Sequence, residues 1–352
     1  MLAVVKDKPL ENHIALQEVP VPGVTEGWVL IKVDLIGICG SDLHTYHWTK
    51  DYQQRFKGLL PAIIGHEYTG IVEAVGSGVT NVFAGDRVVS RTPISCGRCQ
   101  PCLSGQEAIC NERRLLGVHY DGAMAEYVTV PARNCHRLPP DYSPNLAALS
   151  EPISIAFGVI HKIGRPLGKN ILIIGPGPIG YFIALLADMA GAHKVFVLGL
   201  PSDKKRFELF ERYIPGVEVE SDLQKLKSKL KQGIKDGGVD VAIEASGSPQ
   251  GPQMAIELTR KQGLVVQAGI FADSPSIDLN AAVRNQITIK GSPALPERLW
   301  DRLLALLAST SKKQQEGFEA AISDIFPLKG AVDAFKKAGE RKAMKILLSP
   351  KQ

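Results

Sequence analysis

Residues 95–110 read SCGRCQPCLSGQEAIC and hold four of the chain's six cysteines. Cys96, Cys99, Cys102 and Cys110 follow a C-x2-C-x2-C-x7-C spacing. Thiolates so placed can close a tetrahedron around zinc without ligands from elsewhere. Gly97 and Gly105 let the chain turn tightly around the ion. An iron–sulfur cluster is the rival, since its cysteines also recur every third residue; the fourth spacing departs from that pattern and no proline follows Cys110. Zinc held by four thiolates keeps no open position and takes no substrate. The segment therefore reads as a staple, and the reactive centre lies elsewhere.

Two cysteines remain. Cys135, in ARNCHRLPP, has no partner at metal spacing and reads as a small buried hydrophobe. Cys39 ends a strand and opens CGSDLH. His66 and Glu67, in GHE, start another strand, and Glu151 stands in SEPISIAFG. One thiolate, one imidazole and carboxylates make a metal site with fewer fixed ligands and room for water. Each also has a plainer reading. His66 can be a satisfied core histidine, and Glu151 a charge at a helix N-terminus.

A third signal is GPGPIG, residues 175–180, which carries Gly175, Gly177, Pro178, Ile179 and Gly180. It follows an apolar strand and opens an apolar helix, the context a dinucleotide-binding loop requires. The first glycine permits the turn, the second lets backbone approach a pyrophosphate, and the third packs helix on strand. The helix N-terminus faces the anion. The next strand of such a unit usually ends in a ribose-binding Asp or Glu. Here VFVLGLPSDKKR puts Gly199 at that place, with Asp203 beside Lys204, Lys205 and Arg206. Without the carboxylate, repulsion against a 2′-phosphate is gone and Lys204 is a candidate for binding one. The coenzyme is NAD(P), leaning toward NADP, although Asp203 could still reach a ribose.

These groups need elements to hold them. The first ~150 residues read as short strands broken by Gly and Pro, as in VLIKVDLIGIC, AGDRVVS and GAMAEYVTVPARN, a pattern of small barrel-like domains. Beyond Glu151 the pattern becomes strand–helix–strand, with apolar strands at 171–174 and 195–198. VDVAIEASG and LVVQAGIF follow, with a helix PQMAIELTRKQG between them. Such alternation predicts a doubly wound parallel sheet ending near ITIKGS. The tail offers two helices, RLWDRLLALLAS and KGAVDAFKKAG, then a short strand, MKILLS, that pattern alone does not place.

Composition bounds the rest. A 352-residue chain is long for one core and predicts two domains. With 41 basic and 36 acidic residues the net charge is +5, and no basic stripe with interleaved aromatics marks a nucleic-acid partner. No apolar run reaches the ~18 residues of a membrane span. The N-terminal MLAVVKDKP lacks the apolar stretch of a secretory signal. A cytoplasmic protein is expected, where clustered cysteines more often hold metal than form disulfides.

Taken together, CGSDLH, GHEYTGIVEAVGSGV, GDRV, CGRCQPCLSGQEAIC, DGAMAEYVTVPARN and GPGPIG resemble, in that order, the zinc-dependent medium-chain dehydrogenases. The resemblance spans nearly the whole chain. It is strongest with the sorbitol (polyol), galactitol-phosphate and threonine dehydrogenase branch. It implies an α/β fold: a GroES-like β-barrel-type catalytic domain at 1–154 and 292–352, and a Rossmann doubly wound parallel-sheet domain at 155–291. It makes MKILLS a strand returning to the first domain.

The resemblance further implies two zincs per chain, one catalytic and one structural. Cys39 and His66 become catalytic-zinc ligands. Glu67 becomes a ligand or close partner, and Glu151 the carboxylate that completes or approaches the site. Ser41 and His44 look like the proton relay. The implied reaction moves a hydride between a secondary alcohol and NAD(P) in a cleft between domains, and the implied assembly is a homodimer or homotetramer. Where sorbitol dehydrogenases carry an Arg-Tyr pair near the substrate, this chain has GSPALPERLW. Polyol, polyol phosphate, small diol and threonine therefore all stay open. Of the rival classes, a zinc-free quinone or enoyl reductase of the same superfamily lacks Cys39, His66 and the four-cysteine segment. A non-enzymatic zinc protein that binds nucleic acid lacks its basic stripe.

Overall fold

The computed structural model describes residues 1–271 and 273–351. The chain divides into two compact units, Met1–Pro152 with Pro296–Gln352, and Ile153–Leu295.

The first unit is built on the long strand Trp28–Gly37, whose alternating apolar residues Val29, Ile31 and Val33 are buried. It pairs antiparallel with Glu67–Val75, with Tyr127–Pro131 and with Lys345–Ser349. The last pairing sets Leu347 against Gly37 and Leu348 against Ile36. MKILLS therefore returns to the first unit, as the resemblance implies. The strand Ile322–Pro327 runs parallel to it. The core under this sheet gathers Ile31, Ile36, Tyr68, Val88, Phe335 and Leu348.

Sequence pattern passed over several elements here. The helices Gly40–Tyr46 and Lys50–Arg55 interrupt the region read as strands, and Lys312–Glu319 and Ile322–Pro327 fill the gap between the two tail helices.

The second unit holds a six-stranded parallel sheet, the predicted doubly wound architecture. Its spatial order is Glu218–Glu220, Lys194–Leu198, Asn170–Ile174, Val239–Glu244, Thr259–Gln267, Thr288–Gly291. The chain order reverses direction between Asn170–Ile174 and Val239–Glu244, and a ligand binds beyond the carboxyl ends of strands at such a point. The helix expected over PQMAIELTRKQG stops early, at Leu258, and Thr259–Gln267 is strand. Thr259 donates its hydroxyl to the Ala255 carbonyl at 2.6 Å, and its backbone pairs with Val239. A β-branched residue with a sheet partner thus ends the helix.

The helix Pro144–Ile163, which spans the division between the units, is 20 residues long and apolar enough to cross a membrane by length and composition. The expectation that no apolar run reaches the length of a membrane span therefore does not hold for this segment. In the structure 72% of its apolar window is buried inside the protein, so its apolar faces are already used.

Candidate metal centres and dinucleotide site

Cys39 leaves the strand Trp28–Gly37 and caps the N-terminus of the helix Gly40–Tyr46. Its backbone N–H donates to the Asp42 carboxylate at 2.9 Å, which fixes the turn. Glu67 opens the neighbouring strand Glu67–Val75, in register with Gly37, and His66 immediately precedes it. That glycine is required: a Cβ there would collide with the Glu67 side chain. One ligand atom each from Cys39, His66 and Glu67 lies within 4.8 Å of the others.

Glu151 lies outside that trio among the described residues. Thr92 donates its hydroxyl to the Glu151 carboxylate at 2.8 Å. Glu151 is still near enough for its charge to act on His66. Burial raises the carboxyl pKa of Glu151, and the His66 charge opposes that.

The electrostatics show how much charge has been gathered in a dry place. Burial alone would lower the His66 pKa, but Asp42 and Cys39 outweigh it and hold it well above the ordinary value. Burial pushes the Cys39 thiol up, and the Glu67 charge adds to the push. Lys345, which the sequence did not single out, donates its ammonium to Glu67 Oε2 at 2.7 Å and to the Ile38 carbonyl at 3.1 Å. Both members of this ion pair are buried. Burial works to lower the Lys345 pKa, yet the Glu67 and Cys39 charges raise it. A sulfur, an imidazole and a carboxylate at this separation fit a zinc ion, which would replace the shared protons as counter-charge.

Ser41 and His44 sit three residues apart on the helix Gly40–Tyr46, hence on neighbouring positions of one face. The His44 ring stacks on Tyr52 with centroids 5.5 Å apart and planes 13° apart. Burial and the nearby His47 lower the His44 pKa, so its imidazole is readily neutral.

The four remaining site cysteines form a separate cluster. Cys99 Sγ lies 3.4 Å from Cys102 Sγ and 3.8 Å from Cys110 Sγ. Tetrahedral zinc with Zn–S bonds of about 2.3 Å places its sulfurs about 3.8 Å apart, so the cluster fits the ion. Backbone N–H groups of Asn111 and Cys102 hold the Cys99 thiol down to about 6. Burial pushes Cys102 up to about 12. All six cysteines are free thiols.

In the second unit Gly175 has φ +107, a conformation that only glycine adopts comfortably. Gly177 caps the helix Pro178–Met189, with Pro178 at its first position. A Cβ on Gly177 would meet no protein atom within 4 Å. Packing therefore does not demand glycine there, whereas a ligand lying against the backbone would. Gly180, with Ile179 before it, packs against the Gly175 carbonyl. This cradle fits a pyrophosphate at the helix N-terminus.

Gly199 follows the strand Lys194–Leu198, and a Cβ there would come 2.6 Å from the Pro176 ring and 2.8 Å from the Phe207 ring. Asp203 accepts from the Leu200 N–H at 2.8 Å and pairs with Arg206 at 3.4 Å. Its carboxylate is thus engaged by its own turn. Lys204 opens the helix Lys204–Tyr213 and is exposed.

Comparison with known proteins gives the family of the chain. Residues 25–140 match the alcohol dehydrogenase GroES-like domain, and residues 178–309 match the zinc-binding dehydrogenase family. A sorbitol dehydrogenase of Halalkalibacterium halodurans is 34% identical, over 99% of each chain. An L-threonine 3-dehydrogenase of Pyrococcus abyssi is 38% identical over 80% of this chain and 79% of its own. The solved alcohol dehydrogenase TADH of Thermus sp. ATN1 superposes with a TM-score of 0.86 at 30% identity, covering 99% of both chains. The chain belongs to the zinc-dependent medium-chain alcohol and polyol dehydrogenases.

Proposed function

We propose that this chain oxidises a secondary alcohol of the polyol class with NAD(P), reversibly, using a zinc ion held by Cys39, His66 and Glu67. The observation that carries the reading is the convergence of those three ligand atoms within 4.8 Å, beside the helix that bears Ser41 and His44. A zinc ion there would acidify a bound alcohol, and a nicotinamide coenzyme would accept its hydride. Ser41 takes the alcohol proton, and His44, held by its stack on Tyr52, passes it toward solvent. Glu151 completes the polar side of the pocket. Gly175, Gly177, Pro178, Ile179 and Gly180 bind the coenzyme pyrophosphate.

The Cys96–Cys99–Cys102–Cys110 cluster holds a second, structural zinc, for two per chain. The catalytic domain comprises 1–154 and 292–352, and the coenzyme domain 155–291. NADP is the favoured coenzyme. Gly199 has no room for an acidic side chain, Asp203 is bonded within its own turn, and Lys204 is free to meet a 2′-phosphate.

A threonine-type or butanediol-type substrate is the second reading, favoured by the 38% identity to the Pyrococcus abyssi enzyme. The partner is a second copy of the chain, in a homodimer or homotetramer: the edge strand Thr288–Gly291 is exposed along its length. Cysteines grouped as metal ligands rather than paired in disulfides support a cytoplasmic location.

The test pairs metal analysis with a panel of polyols, polyol phosphates, diols and hydroxy-amino acids, each with NAD and with NADP. Near two zincs per chain and turnover on a polyol support the first reading. Turnover confined to threonine or a diol replaces the substrate class, and fewer than one zinc with no alcohol oxidation overturns the mechanism.

A further inference from the structure

The second unit buries a carboxylate that the reaction above does not use. Glu244 ends the strand Val239–Glu244 and is fully buried. Four neutral donors converge on it. Its Oε1 accepts from the Ser246 N–H at 2.8 Å, the Gly247 N–H at 3.1 Å and the Ser246 hydroxyl. Its Oε2 accepts from the Gln267 side-chain amide at 2.6 Å. A buried charge without such donors is strongly unfavourable, so the turn at residues 246–248 and the carboxylate specify each other.

The location makes this more than a packing detail. Glu244 is paired in register with Ile174, the residue before the phosphate loop, at the point where the sheet order reverses. The Ala245 N–H donates to the Ile174 carbonyl at 2.9 Å. The Ser246 backbone is then pressed onto Gly175: a Cβ on that glycine would come 2.7 Å from Ser246 Cα and N. The first glycine of the loop is thus held by its own φ and by a wall that Glu244 fixes. A negative charge here opposes a pyrophosphate, so electrostatics do not account for it. Its bonds turn inward, toward the turn and Gln267.

We propose that Glu244 is a positioning residue of the coenzyme site, which sets the shape of the phosphate loop through the 246–248 turn. The inference rests on the dinucleotide reading of GPGPIG. Glu244→Gln replaces one acceptor oxygen with a donor, so either the turn or Gln267 must face a second donor. Coenzyme dissociation constants, measured by calorimetry on the zinc-loaded protein, rise about 10-fold or more. The rise is equal for NAD and NADP, because the loop meets the part they share. Coenzyme KM rises with it, while kcat, alcohol KM and zinc content change little; the melting temperature falls by roughly a few degrees, as the loss of a buried hydrogen bond requires. Exchange of the Gly247 amide speeds up.

Ser246→Ala, which keeps the carboxylate, gives a smaller rise, about 3-fold. It supplies the test if Glu244→Gln does not fold. Unchanged coenzyme affinity in both variants, or in Ser246→Ala alone where the other is insoluble, overturns the role. A wild-type protein that binds neither coenzyme overturns the dinucleotide site itself, which is a separate result.

Discussion

The two cysteine-bearing centres differ in how the chain assembles them. The sulfur cluster draws Cys96, Cys99, Cys102 and Cys110 from one short segment, with Cys99 Sγ 3.4 Å from Cys102 Sγ and 3.8 Å from Cys110 Sγ. The mixed centre takes Cys39 from a helix cap, Glu67 from the start of a neighbouring strand, His66 from just before it, and a buried cation from Lys345, 278 residues beyond Glu67. A local loop can fold around an ion with little help. A site built from distant strands exists only when the sheet does, and its charges must be balanced by the fold. Lys345 supplies that balance for Glu67.

Breaking each centre should therefore give different losses. Cys39→Ser removes a ligand from the mixed centre. Turnover falls by ~10³-fold or more, since a Lewis acid contributes several kcal/mol to the barrier. Calorimetry still finds the coenzyme bound; full activity in this variant would remove Cys39 from the site.

Lys345→Met comes next. It leaves a buried carboxylate without its partner, a change that costs about 3–5 kcal/mol. Denaturant melts should show a larger loss in chelator-treated protein than in zinc-loaded protein, where the ion serves as the second partner of Glu67. An equal loss in both forms would separate Glu67 from the metal.

Cys99→Ser acts on the staple. The cluster's zinc is lost and the melting temperature drops by about 2–4 °C for each kcal/mol removed. Residual kcat at low temperature stays within a few-fold of wild type. Unaltered melting and metal content would contradict the staple.

The smallest effect concerns protons. With its thiol held down to about 6, Cys99 is mostly thiolate at neutral pH, so zinc binding there would displace little proton from it. Below about pH 6 each binding event must release one more proton, and affinity falls more steeply as pH drops. Competition with a chromophoric chelator between pH 5 and 8 reads the change of slope.

The same contrast explains what the sequence could reveal. The sulfur cluster and the GPGPIG loop are legible because their function depends on spacing within a few residues. Cys39, His66 and Glu67 carry type but not proximity: their chemistry suggests a metal site beside plainer readings, and the family resemblance tips the balance. Lys345 carried no signal in MKILLS, where it reads as an ordinary lysine at a strand start; pairing of Leu347 with Gly37 buries it beside Glu67. Glu244 was hidden inside an apolar strand. The helix end at Leu258 was missed because Thr259–Gly263 is polar enough to continue a helix, and only Val239 across the sheet decides otherwise. Tertiary context overrode local preference there.

The return of Lys345–Ser349 to the strand Trp28–Gly37 also sets an order of events during synthesis. In a growing polypeptide the four clustered cysteines are all present once Cys110 clears the ribosome. The other centre must wait longer, because the ammonium that pairs with Glu67 is translated 278 residues after it. A product cut short before that strand would keep the four clustered cysteines together and leave Glu67 without its buried cation.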